Sequence, residues 1–158
     1  MRFPGPEFCL ENNLFMIVGS IPAKTKKNLE VYFATNGTDE AFHMREGLHF
    51  TNLSKTLSSH TFSLELEEEY IRRWGVLDNV TEDLQGQPGD GTTIDREEPF
   101  IIRIKCDGDG WILQVNKEPA YDTFLHRVPI PHILNVNIKG TAHISYVGFG
   151  TDGKPFKL

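Results

Sequence analysis

The sequence predicts an all-β protein in which two antiparallel sheets pack as a β-sandwich, with the jelly roll as one of the usual arrangements. Short segments of alternating apolar and polar residues recur along the chain, and clusters rich in Gly, Asp, Asn and Pro separate them. No segment of helical length carries a convincing apolar stripe at 3.6-residue spacing. Many short strands at regular spacing are typical of a sandwich.

The second half of the chain gives the clearest strand predictions. Phe100, Ile102, Ile104 and Cys106 alternate with other residues, and the Asp-Gly-Asp-Gly cluster at 107–110 predicts a turn into the next strand. Further turns are predicted at 116–119 and at Lys139-Gly140. The predicted strands of this half are Phe100–Cys106, Trp111–Val115, Leu134–Ile138 and Ala142–Tyr146.

The first half repeats the alternation but contains two irregular stretches. Residues 45–60 are rich in Ser and Thr, and residues 76–97 contain Gly-Gln-Pro-Gly-Asp-Gly. Both are expected to be long surface loops. Binding residues often lie on such loops, which a rigid sheet holds in position. The predicted strands of this half are Leu14–Val18, Leu29–Thr35, Ala41–Met44 and Thr61–Leu66.

Length and charge restrict the class of protein. The 158 residues are 39% hydrophobic and 24% charged, which suits one domain spanning 1–158 with a substantial core. The formal net charge is −6, and the Lys and Arg residues are scattered rather than clustered. We therefore do not expect nucleic acid as a partner, because phosphate binding requires clustered positive charge.

The N-terminal segment and the cysteines provide the basis for predicting the cellular compartment of the protein. The apolar run Leu14–Val18 is too short for a signal peptide or a membrane span. Cys9 and Cys106 are the only cysteines, far apart in sequence and outside any metal-type spacing. We expect reduced thiols in a cytoplasmic protein rather than a disulfide. The three Asn-x-Ser/Thr sequons, at Asn36, Asn52 and Asn79, are interpreted as chance occurrences.

Features that suggest catalysis or metal binding have simpler explanations. The carboxylates of Glu65 and Glu67–Glu69 lie in one segment, which cannot by itself flank a scissile glycosidic bond from both sides. The sequence Asp107–Gly110 resembles part of a calcium loop but lacks the remaining ligands, and a hairpin turn explains it. We predict no enzyme activity, no cofactor and no metal.

Several segments together resemble the galectin family, and the resemblance covers most of the chain. It implies a galectin-like jelly-roll β-sandwich, concanavalin-like in architecture, and a carbohydrate-recognition domain for β-galactosides. It also gives His126 and Arg127 a structural role at a corner of the chain. The matching segments are Leu14–Pro22 with its Gly-x-x-Pro ending, Asn28–Thr35, Asp39–His43, and the strands from Phe100 onward with the Phe-Leu-His-Arg-Val corner.

The resemblance assigns candidate carbohydrate-binding residues and also marks departures. Galectins carry His-x-Asn-x-Arg on one strand, an Asn on the next, and then Trp-Gly-x-Glu. His43 matches the family His, and Trp74-Gly75 matches the Trp-Gly pair. The departures are Arg45 in place of Asn, Gly47 in place of Arg, Glu67 near the second Asn, and Leu77 in place of Glu. The candidate carbohydrate-binding residues are therefore His43, Arg45, Glu67 and Trp74.

These residue types suit a sugar ligand. An indole such as Trp74 gives the C–H face of galactose a flat apolar surface, and His43 can bond an axial hydroxyl. Arg45, two residues further along the same strand, is expected on the same face, with Glu67 or Asp78 to orient it. A second registration places His49 on the family His, followed by Thr51 and Leu53, but it needs a longer insertion before the strand, so the registration on His43 is preferred.

The predicted function is a galectin-like lectin for galactose-containing glycans or glycoproteins, with altered specificity or affinity. The alternative is a galectin-related protein that has lost ordinary lactose binding and acts through protein contacts. A third class is a carbohydrate-active enzyme on a related sandwich. We expect a cytoplasmic protein, with release by a route independent of a signal peptide as the alternative, and homodimer formation stays open.

Overall fold

The structure is a computed structural model that describes residues 1–9, 13–23, 28–35, 40–49, 52–60, 80–84, 87–88, 94–95, 97–151 and 154–155. Within these residues, strands dominate and the helical elements are two 3-10 turns, Pro6–Cys9 and Ile130–His132. The strands are β1 Asn13–Ser20, β2 Asn28–Thr35, β3 Glu40–His49, β4 Asn52–His60, β5 Val80–Asp83, β6 Phe100–Cys106, β7 Gly110–Val115, β8 Phe124–Leu125, β9 Ile133–Gly140, β10 His143–Thr151 and β11 Lys154–Pro155.

The strands form two antiparallel sheets, which confirms the predicted all-β sandwich. One sheet has six strands in the order β11-β10-β1-β6-β7-β8, and the other has five in the order β5-β4-β3-β2-β9. Neighbouring strands in a sheet are often distant in sequence, since β1 pairs with both β6 and β10. The fold therefore depends on long-range pairing as well as on hairpins.

Strand alternation predicted most of these elements. β6 has the bounds expected from the sequence and alternates between buried and half-buried residues along its whole length. The other predicted strands each fall within an observed strand or overlap it, except for Thr61–Leu66, which lies outside the described residues.

The prediction of a surface loop at 45–60 is wrong. β3 continues to His49, and β4 returns from Asn52 alongside it, with these two residues paired at the end of the ladder. The Ser and Thr content suggested a loop, but Thr is well suited to a pleated strand, and β3 pairs with most of β4. The predicted loop at 76–97 is wrong for Val80–Asp83, which forms β5 against β4.

The predicted turn at 107–110 is confirmed as a hairpin connection between β6 and β7. The Asp107 side chain accepts hydrogen bonds from the backbone N–H groups of Asp109 (2.8 Å) and Gly110 (2.9 Å). The Asp107 N–H donates to the Gly110 carbonyl at 3.0 Å. An Asp side chain that satisfies its own turn accounts for this cluster without a metal ion.

Aromatic rings fill the space between the two sheets. Trp111 and Phe33, from opposite sheets, are both 0% exposed, and their ring centroids lie 4.8 Å apart. Phe15 and Phe149 lie at the same distance from each other, 4.8 Å. The Trp111–Phe33 pair makes an edge-to-face contact across the two sheets, whereas Phe15 and Phe149 are tilted neighbours within the six-stranded sheet. Among the described residues, no helix is long and apolar enough to cross a membrane.

The expectation of reduced cysteines is wrong, because Cys9 and Cys106 form a disulfide with their Cα atoms 4.9 Å apart. The bond joins the 3-10 turn Pro6–Cys9 to the end of β6. Cys9 and Cys106 are 97 residues apart in sequence, so the sequence does not indicate that they are close. They come together only when the N-terminal segment packs against the six-stranded sheet.

Candidate functional site

The outward surface of the five-stranded sheet carries a group of polar and aromatic side chains, which we call the polar face. It is built from the middle of β2, β3 and β9, three strands that lie side by side. The described residues of the polar face are Glu30, Tyr32, His43, Asn137 and Lys139.

Strand alternation places these residues on the outside of the sandwich. On β2, Leu29, Val31 and Phe33 are 0–1% exposed in the core, whereas the residues between them are half-buried. On β3, His43 is half-buried between two core residues, Phe42 and Met44. Because side chains alternate between the two faces of a strand, the apolar set holds the sheet to the core and leaves the polar set toward solvent.

His43 is the centre of the polar face. The register pairs it with Tyr32 on β2, and the two rings lie 5.5 Å apart between centroids, tilted by 59°. Its Nε2 atom is 3.9 Å from Glu30 Oε1, and both side chains are 17% exposed. The imidazole therefore lies against a ring and beside a carboxylate, with its Nε2 atom buried and only a small part of the side chain exposed.

β9 completes the polar face from the other side of β2. The register pairs Asn137 with Tyr32 and Lys139 with Glu30. The Lys139 ammonium lies 5.2 Å from the centroid of the Tyr32 ring, within the range of a cation–π contact. The polar face thus presents a carboxylate, an imidazole, an amide, an ammonium and a phenol, which are hydrogen-bonding groups of both polarities.

The candidate residues predicted from sequence fall in different parts of the chain. His43 lies on the polar face. Arg45 lies two residues further along β3, where the register pairs it with Glu30 and Thr56. Glu67 and Trp74 lie outside the described residues, as do Leu77 and Asp78, so the structure leaves their assignment as a prediction.

The histidine of the alternative registration also lies on β3. His49 is the last residue of that strand, six positions beyond His43, and pairs with Asn52 at the hairpin end. Gly47 pairs with Asn28 on one side and with Ser54 on the other. His43 lies in mid-strand, opposite residues of both neighbouring strands, whereas His49 lies at the end of the ladder.

Sequence reasoning missed four residues of the polar face, Glu30, Tyr32, Asn137 and Lys139. The alternation along Leu29–Thr35 could have assigned Glu30 and Tyr32 to the outer face of a strand. Their proximity to Asn137 and Lys139 depends on the pairing of β2 with β9, more than a hundred residues away in sequence. Periodicity within a single segment carries no signal for that pairing.

Trp111 and His126 belong to the core rather than to the polar face. Trp111 is 0% exposed, and its ring lies 5.1 Å from that of His126. Burial lowers the pKa of His126 below its usual value of 6.5, against the opposing effects of a hydrogen bond to Asp107 and nearby carboxylates. His126 Nε2 lies 2.8 Å from the Asp107 carbonyl, so this neutral imidazole ties the chain to the β6–β7 turn.

The described residues contain no cluster of three or more His, Cys, Asp or Glu side chains able to hold a metal ion. The hydrogen-bonding groups of the polar face lie on the outer surface of the five-stranded sheet, where most of them are half-buried. Such a surface suits a polar ligand held by several directional hydrogen bonds and by contact with a ring.

Comparisons with known proteins identify the fold of the chain. No protein-family model matches the chain, and no curated protein matches it. A doubly substituted human galectin-16 is similar with a TM-score of 0.64 and 17% identity, covering 96% of this chain and 94% of that one. Caenorhabditis elegans galectin LEC-6 gives 0.64 and 12%, covering 95% and 89%. Sheep galectin-11, in complex with glycerol, gives 0.61 and 13%, covering 94% of each chain. The chain therefore has the fold of a galectin-like domain.

Proposed function

We propose that this chain, over 1–158, is a single non-enzymatic carbohydrate-recognition domain that binds galactose-containing glycans on the polar face. The observation that carries the proposal is the arrangement of His43 beside Glu30 and Tyr32 on an outward sheet surface. The galectin-like fold supports the same ligand class by analogy.

The chemistry of the polar face suits a sugar. Glu30 accepts hydrogen bonds from hydroxyls, His43 can accept or donate depending on its tautomer, and Asn137 can do both. Each hydroxyl exchanges bonds with water for bonds with protein, so the net gain is about 0.5–1.5 kcal/mol per hydrogen bond. We therefore expect weak binding of a single sugar and stronger binding of a longer glycan that also reaches β9.

Three further residues complete the proposed site. Trp74 provides the apolar platform for the C–H face of galactose, Arg45 adds donors next to His43, and Glu67 orients Arg45 or accepts from the sugar. Trp111 cannot serve as the platform, because it is fully buried between the sheets. Of the two tryptophans in the chain, Trp74 is thus the one proposed to contact the ligand.

The specificity is proposed to differ from that of typical galectins. Arg45, Gly47 and Leu77 replace residues that the family uses to grip a galactoside, so the set of donors and acceptors is altered. A site built to bond one hydroxyl discriminates strongly against ligands that cannot make that bond. Loss of lactose binding with a change to protein partners is the competing function that these departures favour.

The disulfide bears on the proposed location. Disulfides persist in oxidising environments and are rare among cytosolic proteins. The Cys9–Cys106 bond therefore favours the extracellular alternative over residence in the cytoplasm. We propose that the protein acts outside the cell, where the Cys9–Cys106 bond would persist.

A glycan array probed with the parent protein and a Trp74→Ala variant tests the proposed function. We expect the parent to bind a subset of galactose-terminated glycans and Trp74→Ala to lose most of that signal. An array with no bound glycan would support the competing protein-contact function, and equal binding by Trp74→Ala would exclude the platform role. Release of free sugar from an oligosaccharide would contradict the non-enzymatic assignment.

A further inference from the structure

The two sulfurs of the Cys9–Cys106 disulfide lie in different surroundings. Cys9 ends the 3-10 turn Pro6–Cys9 and is half-buried at the edge of the core. Cys106 ends β6 and is only 6% exposed. Attack on a disulfide requires an approach to one sulfur along the S–S axis, so access favours attack at Cys9.

His126 lies beside the more buried sulfur. Its Nε2 atom is 2.8 Å from the Asp107 carbonyl oxygen and 3.6 Å from Cys106 Sγ. Since a carbonyl oxygen only accepts, the proton of the neutral imidazole lies on Nε2, where it faces both atoms. The residue is 5% exposed, so this N–H acts in a nearly dry environment, where donation to a developing negative charge is most effective.

We propose that Cys9–Cys106 is a thiol–disulfide exchange site with a fixed direction, in which an external thiolate attacks Cys9 and Cys106 is the leaving group held by His126. The S–S bond breaks faster when the departing sulfur is stabilised as a thiolate. The reactants that suit this site are small thiols or the exposed thiolate of a dithiol protein.

The exchange proceeds in two successive displacements at sulfur. The attacking thiolate forms a new S–S bond with Cys9 Sγ, and the Cys9–Cys106 bond breaks with its electron pair on Cys106 Sγ. A second thiol of the reductant then displaces Cys9, so the protein disulfide gains two electrons and two protons while two reductant thiols become one disulfide. The His126 N–H donates a hydrogen bond to the Cys106 thiolate and keeps its proton.

Trapping of the mixed disulfide tests the direction on the unaltered protein. The oxidised protein is exposed briefly to excess glutathione, quenched with acid and N-ethylmaleimide, and mapped by peptide mass spectrometry. We expect glutathione on Cys9 and maleimide on Cys106, in at least a tenfold excess over the reverse pattern. Equal labelling, an excess of glutathione on Cys106, or no opening of the bond would overturn the proposal.

Two variants of one residue test the role of His126. His126→Gln keeps an N–H donor, whereas His126→Leu fills the site without one, and circular dichroism verifies that each is folded. We expect the rate of opening by glutathione to fall by about threefold to tenfold in His126→Leu and to be largely retained in His126→Gln, because a less stabilised thiolate leaves more slowly. Equal rates in parent and His126→Leu, or equal losses in both variants, would overturn the role of the N–H. If His126→Leu fails to fold, the trapping pattern of the parent still decides the direction.

Discussion

At the scale of the residue, strand geometry directs the His43 side chain to the face on which we propose that the glycan binds. Its neighbours Phe42 and Met44 are buried, so its side chain is directed to the outer face beside Glu30. This orientation follows from period-two alternation, which the sequence displays. The carboxylate and the ring that surround it come from β2, a different strand.

Replacement of His43 by alanine is expected to weaken glycan binding without unfolding the protein. The loss of one or two hydrogen bonds at about 0.5–1.5 kcal/mol each corresponds to a decrease in affinity of between about twofold and about 140-fold. Calorimetry with a glycan selected on the array measures the effect. His143→Ala, at an exposed position on β10 of the other sheet, is the matched control, and an equal loss in both variants would remove His43 from the site.

His126 predicts a component of acid sensitivity. Its pKa in the folded state lies below the unfolded value of 6.5, so the unfolded chain binds more protons at mildly acidic pH. This contribution to stability is present above about pH 6.5 and is lost as the pH falls through the folded pKa. Urea denaturation at pH 7.5 and 5.5 should show a smaller decrease in His126→Gln than in the parent, and an identical decrease in both would contradict the assignment.

At the scale of the element, the β6–β7 hairpin depends on the close approach of β8. A Cβ atom added at Gly110 would overlap the backbone of Phe124, whereas one added at Gly108 would meet nothing within 4 Å. We expect Gly110→Ala to destabilise the fold by about 1–3 kcal/mol, as overpacking of a tight site does, and Gly108→Ala to have much less effect. Urea denaturation of the pair measures the difference, and equal stabilities would refute the close contact.

The disulfide is expected to stabilise the attachment of the N-terminal segment. It closes a long loop, with a sequence separation of 97 residues, for which the chain-entropy estimate is about 4–5 kcal/mol and the usual measured range is about 2–4 kcal/mol. A Cys9→Ser/Cys106→Ser variant should lose stability within or near this range in denaturant titrations. A loss under about 0.5 kcal/mol would indicate that the aromatic packing of Phe3 and Phe8 is sufficient without the bond.

Strands with a strong apolar alternation could be predicted with their bounds, whereas weakly patterned strands could not. β6 alternates over its full length and was predicted from Phe100 to Cys106. β4, with its Ser and Thr residues, forms because β3 and β5 lie on either side of it and supply backbone partners. Such strands depend on tertiary context rather than on local preference.

At the scale of the whole molecule, the sandwich brings together residues that the sequence separates widely. The galectin resemblance predicted a strand ending at His43, and His43 lies on β3. The resemblance gave no indication of Asn137 or Lys139, which reach the polar face through the pairing of β2 with β9. The contact between Cys9 and Cys106 likewise requires the N-terminal segment to pack against β6. Fold class follows from patterns within segments, whereas the composition of a site depends on which segments become neighbours.

The most direct test of the proposed function is a lactose titration followed by amide chemical shifts in ¹H–¹⁵N spectra. Binding on the polar face predicts saturable shifts centred on Glu30, Tyr32 and His43, with little change at Arg103 and Gln114 on the six-stranded sheet. Shifts confined to the six-stranded sheet, or silence with both lactose and a galactose-terminated glycan selected on the array, would contradict galactoside binding at the polar face.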